Sequence, residues 1–321
     1  MAQATGAHST YDEASKGNRE DLSDIIEDVS PTDTPLYALM GKKKAKATTH
    51  EWLTDSLAAA AANAQVEGDD ASPADATART RMSNYTQILR KAAVVTGTQE
   101  AVDKAGVDSE MAYQVARRMK EMKRDMEYAF IGAAAGNAKV AGNDSTAREM
   151  GSLDAYVITN GSLAASGSSA AAGNGGTPSD YAGTDRALDE TIFKDALQDI
   201  FTNSGGSSSL TCITTAASKG VISTFTASST RHVTTDDKKL VASIDVYVGD
   251  FHTVKIIADR YCATGHTYIV DPEYISLAEL RPLFSFDLAT LGDSKRKQLV
   301  WEATLEVGNE KAHAHIGDLT T

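Results

Sequence analysis

The chain has 321 residues, with 44 acidic against 31 basic side chains and a formal net charge of -13. That balance excludes a nucleic-acid binder held by bulk positive charge, while 41% hydrophobic and 23% charged residues are ordinary globular usage, enough to bury a core along most of the chain. No run of about 18 apolar residues offers a membrane span, the N-terminus lacks the basic and apolar regions of a secretory signal, and Cys212 and Cys262 are too few for a disulfide framework or a four-thiolate metal site. Synthesis in the cytosol and two or three domains are expected.

Residues 1–20 are small and polar, the composition of an arm that orders only against a partner. Leu22, Ile25, Ile26 and Val29 then recur at i, i+3, i+4 and i+7, which predicts a short helix ended by Ser30-Pro31. A second short helix is expected from Pro35, with Thr34 as its cap, Leu36, Leu39 and Met40 as its apolar side and Gly41 as a left-handed stop. Neither is long enough to be stable alone, so both need a surface from the rest of the fold or from another chain. From Lys42 to Thr98 the character turns to β. Residues 50–53 and 85–96 read as the two strands of a long hairpin, and 65–78, with Gly68, Asp69, Asp70 and Pro73, as its polar tip. A two-stranded ribbon is at best marginally stable in water, so this one is expected to lean on something outside its own domain.

Asp108 or Ser109 caps the strongest helix, which is expected to run to about Ala135. Val115, Met119, Met122, Met126, Ala129, Phe130 and Ala133 form its apolar stripe, and Arg117, Arg118, Lys120, Lys123, Arg124 and Glu127 face elsewhere. At ~1.5 Å per residue it spans roughly 40 Å. Residues 161–183 are almost wholly Gly, Ala, Ser, Asn and Thr and read as a flexible loop. A capped helix resumes at Thr184, with Leu188, Ile192, Phe193, Ala196, Leu197, Ile200 and Phe201 on one face. Residues 210–214 follow as a buried strand and 218–225 as a short helix, and 244–248 and 251–257 form a hairpin around a Gly249-Asp250 turn. Near the C-terminus Leu299, Trp301, Ala303, Leu305 and Val307 alternate with Val300, Glu302, Thr304 and Glu306; Gly308-Asn309 makes a turn, and Ala312, Ala314 and Ile316 alternate on the way back. One face of that ribbon must be covered, and the long helix is the obvious cover. Residue 115 would then meet residue 305, with an inserted domain between them.

No constellation for catalysis or cofactor binding survives inspection: the phosphate-loop, dinucleotide, nucleophile-elbow and zinc-protease patterns are all missing. Gly205-Gly206 with 207–209 lacks the lysine of a phosphate loop and follows a helix instead of preceding one, so a helix-ending linker is the reading. His313 and His315 share one strand face with no third ligand at metal spacing and read as solvent-facing ribbon residues. His50 beside Glu51 and Trp52 reads as packing on the hairpin. Lys42, Lys43, Lys44 and Lys46 form the one dense basic run, either a contact to phosphates or an acidic neighbour, or a solvated hinge. The methionines of the long helix read as core filler. Arm, hairpin and flat helix-on-sheet geometry together favour repeated contact with copies of the same chain.

The order of elements, with Asp21-Leu22-Ser23-Asp24-Ile25-Ile26, Ser30-Pro31-Thr32-Asp33-Thr34-Pro35-Leu36, Gly41-Lys42-Lys43-Lys44-Ala45, His50-Glu51-Trp52, Lys123-Arg124-Asp125-Met126-Glu127, Asp245-Val246-Tyr247, Leu280-Arg281-Pro282, Leu291-Gly292-Asp293, Glu302-Ala303-Thr304-Leu305-Glu306 and Asn309-Glu310-Lys311-Ala312-His313, resembles the tailed-bacteriophage major capsid proteins of the Hong Kong ninety-seven type, and within them the SU-ten-like major head proteins. The resemblance implies an α+β capsid fold: an N-arm over 1–41, an extended loop over 42–98, a peripheral domain over 99–151 and 284–321 (spine helix about 108–135, β ribbon about 297–316), and an axial domain over 152–283 with the loop 161–183. It implies a structural protein of the virion, not an enzyme, with no cofactor and no metal. Copies would close into pentamers and hexamers of an icosahedral shell around double-stranded DNA, bound without sequence specificity, and a portal and a separate scaffolding or decoration protein would be partners, with no membrane. Extended loops would lie across neighbouring peripheral domains, with Leu22, Ile25, Ile26, Leu36, Lys42, Lys43, Lys44, Trp52, Tyr85 and Ile88 as contact candidates. The lysine, asparagine and glutamate of an intersubunit crosslink are not identifiable, and a start at Met1 leads to the expectation of no maturation cleavage. The alternatives are an encapsulin-like nanocompartment shell, which shares the fold, and a soluble hydrolase with its site around His50 or His313.

Overall fold

A computed structural model describes residues 30–31, 33–70, 78–133, 136–164, 168–181, 183–204, 208–225 and 245–320. The expected arm over 1–20, the helix carrying Leu22, Ile25 and Ile26, and 71–77 of the hairpin tip lie outside the described residues. In chain order the elements are α1 (Pro35–Leu39), β1 (Gly41–Lys44), β2 (Thr49–Thr54), β3 (Thr80–Tyr85), β4 (Gln87–Thr96), α2 (Gly97–Ala101), α3 (Glu110–Ile131), β5 (Gly161–Ser162), α4 (Glu190–Asn203), β6 (Ser209–Thr214), α5 (Ala216–Ile222), β7 (Val246–Val248), β8 (Thr253–Ala258), β9 (Thr267–Val270), β10 (Ile275–Asp287), β11 (Ser294–Val307) and β12 (Ala314–Ile316). The α+β class expected from the sequence is the class observed.

Two sheets organise the molecule. A four-stranded sheet has the order β1-β10-β11-β4, and a six-stranded mixed sheet the order β5-β12-β9-β6-β8-β7. The long helix α3 lies on the first, as its pattern predicts. Ser109 caps it by accepting from the Ala112 amide at 3.3 Å, and the Glu100 carboxylate of α2 accepts from Ser109 Oγ and from the Glu110 and Met111 amides, placing an anion where the helix dipole favours one. Met122, Met126 and Phe130 of α3 meet the odd face of β11, Leu299, Trp301, Ala303, Leu305 and Val307, in one buried core. That core continues through Tyr156 and Val157 onto Ile213, Tyr268 and Val270, one face of the second sheet. On the opposite face of that sheet, α4 packs Phe193, Ala196, Leu197 and Ile200 against Leu210, Cys212, Val254, Ile256 and Ile269.

Several expectations are corrected by strand pairing. The strand at 85–96 is not the hairpin partner of 50–53: β2 pairs with β3, Thr49 opposite Tyr85 and Thr54 opposite Thr80, whereas β4 pairs antiparallel with β11, Ile88 opposite Glu302 and Val94 opposite Arg296. The β ribbon of 297–316 is likewise divided. β11 takes β10 as its second neighbour, and β12 crosses to the second sheet between β9 and β5. A 3-10 turn at Glu310–Ala312 redirects the chain there, seeded by Asn309 accepting from the Lys311 amide. His313 and His315 are consequently fully buried, not solvent-facing.

Local readings are adjusted in the same way. α3 ends at Ile131, with Gly132 after it. The helix expected from Thr184 begins at Glu190, where Asp189 accepts from the Thr191 amide. The expected two-residue turn at Gly249-Asp250 is a four-residue connection, since Val248 pairs with Thr253. The described part of 161–183 is tied into the body, not free: β5 pairs with β12, Ser169 bridges Asp180, and the Gly175 amide donates to the Ala155 carbonyl at 3.0 Å. Gly175 has φ +79°, and an added Cβ there would fall 2.4 Å from the Tyr156 hydroxyl oxygen, so this position tolerates no side chain.

Candidate assembly surfaces

Leu36 is fully buried in the subunit's own core, which removes it from the residues open to a neighbour. Thr34 makes no side-chain cap on α1, and Gly41 starts β1 instead of ending the helix in a left-handed conformation. The cap comes from α3: Glu127 accepts from the Leu36 amide at 2.7 Å and from the Tyr37 amide at 2.8 Å. Glu127, read from the sequence as an outward charge, has no exposed surface. Burial pushes its carboxyl up to about 8, with the Asp259 carboxyl beside it acting in the same direction against the two amides.

The lysine run lies on β1, an edge strand parallel to β10. Its acidic neighbours belong to the same subunit: Lys42 Nζ is 3.8 Å from Glu279 and Lys43 Nζ 2.7 Å from Glu306, while Lys44 is exposed. Glu306 also takes His50 Nε2 at 2.8 Å; burial would raise its carboxyl, but the bonds from His50 and Lys43 outweigh burial and hold it below the usual range.

The hairpin is moored at its base and free beyond. Asn84, fully buried, donates to the Leu305 carbonyl at 2.9 Å and accepts from the Gly151 amide at 2.9 Å. The Tyr156 hydroxyl and Lys139 Nζ both donate to the Ser83 carbonyl at 3.0 Å. Trp52 packs on Tyr156, with ring centroids 5.9 Å apart, and Tyr85 is half-buried. These bonds and the ring contact hold the base of the hairpin on parts of the same chain outside it. From Asp55 to Asp70 every residue is exposed and none is helix or strand, with Leu57 at 98% and Val66 at 78% exposure.

Ile88 lies on the face of the first sheet turned away from α3. Strand alternation and register place Arg90, Ala92 and Val94 of β4 on that face with Arg296, Gln298 and Val300 of β11 and Phe284 and Phe286 of β10. All the even-numbered residues of β4 from Ile88 to Thr96 are exposed, and Phe284 stacks beside Phe286 with centroids 5.8 Å apart. The surface is apolar with a basic rim. Farther along β11 the same face is covered: Glu302 accepts from Thr86 Oγ1, Arg148 Nη2 and Arg281 Nε at 2.9, 2.5 and 2.7 Å.

Two groupings escape a reading of the sequence. Phe201 and Phe251 stack on the surface with centroids 4.8 Å apart, near exposed Val248; Phe201 alone carried a signal, as an apolar residue at the end of a helix stripe. Inside, His266 Nδ1 is 3.0 Å from His315 Nε2, and His315 Nδ1 faces the Tyr181 hydroxyl, which donates to Asp154. Burial pushes the His315 ring down to about 3 and that of His313, whose Nδ1 accepts from the Asp271 amide, down to about 4. Both rings are therefore neutral connectors between β12 and its neighbours. Among the described residues no group of His, Cys, Asp and Glu is arranged to hold a metal ion, and no helix is long and apolar enough to cross a membrane.

The model of the SU10 major capsid protein family matches residues 4–320. A curated relative, the major capsid protein of Escherichia phage Phieco32, is 36% identical over 119 residues, 37% of this chain and 33% of the relative; that match spans about a third of the relative's length. Among solved structures, the cyanophage A-1(L) capsid asymmetric unit superposes with a TM-score of 0.69 at 13% identity, covering 97% of this chain and 100% of that one. The capsid of a native GTA particle computed with C5 symmetry gives 0.63 at 12% identity, covering 99% and 100%. At such identities the structures establish the fold.

Proposed function

The chain belongs to the SU10 major capsid protein family, and from that premise we propose that it is the shell-forming subunit of a tailed-phage head, closing with copies of itself into pentamers and hexamers around double-stranded DNA. Its role is structural, not catalytic. The observation that carries the reading is the family match over nearly the whole chain, and the uncovered loop of 55–70 supplies the physical reason for assembly. Among the described residues Leu57 and Val66 stand largely open to solvent, and each Å² they bury elsewhere contributes about 25 cal/mol.

The open sheet face around Ile88, Val94, Phe284 and Phe286 of the next subunit is the surface they fit. Glu67, Asp69 and Asp70 near the loop's end complement Arg90 and Arg296 on that face. Lys44 and the outer side of β1 remain contact candidates, as do Leu22, Ile25 and Ile26. Leu36, Trp52 and Tyr85 act within the subunit. The arm over 1–41, the extended loop over 42–98, the peripheral domain around α3 and the first sheet, and the axial domain around the second sheet remain the working division, with β12 assigned to the axial side. Synthesis in the host cytoplasm, with a portal and a separate scaffolding or decoration protein as partners, completes the proposal.

Electron microscopy and mass measurement of the purified protein test it. Polyhedral particles of megadalton mass are expected, and Leu57→Asp with Val66→Asp should abolish them while leaving a folded subunit. A stable monomer or dimer that never forms particles would overturn the reading. An encapsulin-like shell is the weaker alternative, and particles filled with a cargo enzyme instead of DNA would identify it.

A further inference from the structure

We propose that the acidic stretch 20–28 docks along the basic side of α3 in its own subunit, between Arg117 and Arg124. The anchor lies just after that stretch. The Pro31 carbonyl accepts from the Tyr261 hydroxyl at 2.8 Å and from Arg124 Nη1 at 3.5 Å, and Glu127 holds the Leu36 and Tyr37 amides. The chain therefore meets α3 at the level of Arg124, with residue 28 only three positions away. Charge supplies the complement. From 117 to 125, α3 carries five cations against two carboxylates, whereas 20–28 carries five carboxylates and no cation. Both α3 carboxylates are drawn to the β4 side, where Lys91 lies 3.3 Å from Glu121 and 2.8 Å from Asp125. Glu121 also serves Arg118 at 2.7 Å, so Arg117, 59% exposed, holds it only at 3.5 Å. Arg124 Nε is screened from solvent and has no acceptor among the described residues.

Spacing sets the register. Arg117, Lys120 and Arg124 recur at i, i+3 and i+7 and so share one side of α3, and Asp21, Asp24 and Asp28 recur at the same intervals along the helix that the sequence predicts before Ser30-Pro31. Each row is about 10 Å long at 1.5 Å per residue. With Pro31 fixed at Arg124, Asp28 meets Arg124, Asp24 meets Lys120 and Asp21 meets Arg117, the two segments running in the same direction. Leu22, Ile25, Ile26 and Val29 occupy a different side of that helix and stay off the line of ion pairs, which leaves them available as the contact candidates named above. That use rests on the shell reading; the docking does not.

Hydrogen exchange over 20–29 tests it, on the full chain kept unassembled by Leu57→Asp with Val66→Asp. If the shell reading fails, the wild type is itself the unassembled chain and the test is unchanged. Protection of 20–29 should not depend on protein concentration and should fall as salt rises from roughly 0.05 to 0.5 M, while a peptide from α4 holds constant. Asp21→Lys with Asp24→Lys should lower that protection about tenfold, the effect of turning two exposed attractions into repulsions. Arg117→Glu with Lys120→Glu should do the same, and the four substitutions together should restore protection to within about twofold of the starting chain. An unprotected 20–29, protection indifferent to salt, or a loss in the Asp variants that the combined chain does not repair would overturn the docking. Protection that grows with protein concentration would also overturn it, by placing the stretch on a second copy.

Discussion

Glu302 stands in the middle of β11, a strand whose pattern marks it as one of the outward residues, yet it is 3% exposed and carries three donors. A carboxylate so placed contributes less through its own Coulomb energy than through what its absence leaves behind. Glu302→Ala would strand Arg148 and Arg281 beside an apolar strand and is expected to cost about 3 kcal/mol, the lower end of the range for broken buried pairs because Arg281 is partly solvated. Urea denaturation of the subunit checks it, and Glu302→Gln, which keeps an acceptor, should lose about half as much. His313 gives a pH prediction. Its pKa is about 4 in the fold against 6.5 unfolded, so the fold excludes a proton that the unfolded chain binds. The neutral ring's contribution is complete above pH 6.5 and is lost as pH falls toward 4, by about 1.4 kcal/mol per unit. Glu127 works in the opposite sense between 4.5 and 8, so the comparison must be between proteins at each pH. His313→Asn, whose side-chain oxygen can still accept from the Asp271 amide, should remove that much of the acid slope in the urea midpoint.

Among the elements, those specified by neighbours in sequence were legible and those specified across the chain were not. The Ser109 cap and the stripe of Met122, Met126 and Phe130 are one local pattern, and α3 follows it to within a turn at its C-terminus. The alternation at 299–307 correctly announces a strand with one face on the helix. Alternation does not name a partner, and both neighbours of β11 were missed because Gly308-Asn309 has the form of a hairpin turn but opens a 3-10 turn instead. Glu127 could not be found either: one residue from Met126 at the margin of the stripe, it carries no mark to distinguish it from the solvated charges beside it. Among the surface candidates, Ile88 was placed in the open and Trp52 was not, since an aromatic in a thin ribbon gives no sign of Tyr156, a hundred residues later, on which it rests. Trp52→Ala is accordingly expected to lower subunit stability by about 2 kcal/mol, reduced from the cost of a fully buried tryptophan by its partial exposure, as well as to lower particle yield. Differential scanning calorimetry of the unassembled chain would show the loss. An unchanged melting temperature would place Trp52 back in the intersubunit contact.

At the scale of the whole molecule, the net charge of -13 and the location of the cations bear on what a shell of such subunits would do to its contents. Among the described residues several of the cations that could grip phosphate are already engaged: Arg117 and Arg118 with Glu121, Lys91 with Glu121 and Asp125, Lys43 with Glu306, and Arg148 and Arg281 with Glu302. Binding to duplex DNA gains chiefly from releasing the counterions that cationic side chains displace, and that gain scales with the number of free cations at the contact. A cation already paired with a carboxylate must give up that partner first, so its net contribution is small, while the surplus of acidic groups adds repulsion that grows as salt is lowered. An assembled empty shell is therefore expected to bind duplex DNA more weakly than about 100 µM at physiological salt, the weak limit of ordinary non-specific binding, and to show little change in affinity as salt is varied. Fluorescence anisotropy with a short labelled duplex, titrated with shells between low and physiological salt, measures both quantities. Micromolar binding that weakens steeply with added salt would mean that cations outside the ion pairs named above govern the contact with DNA.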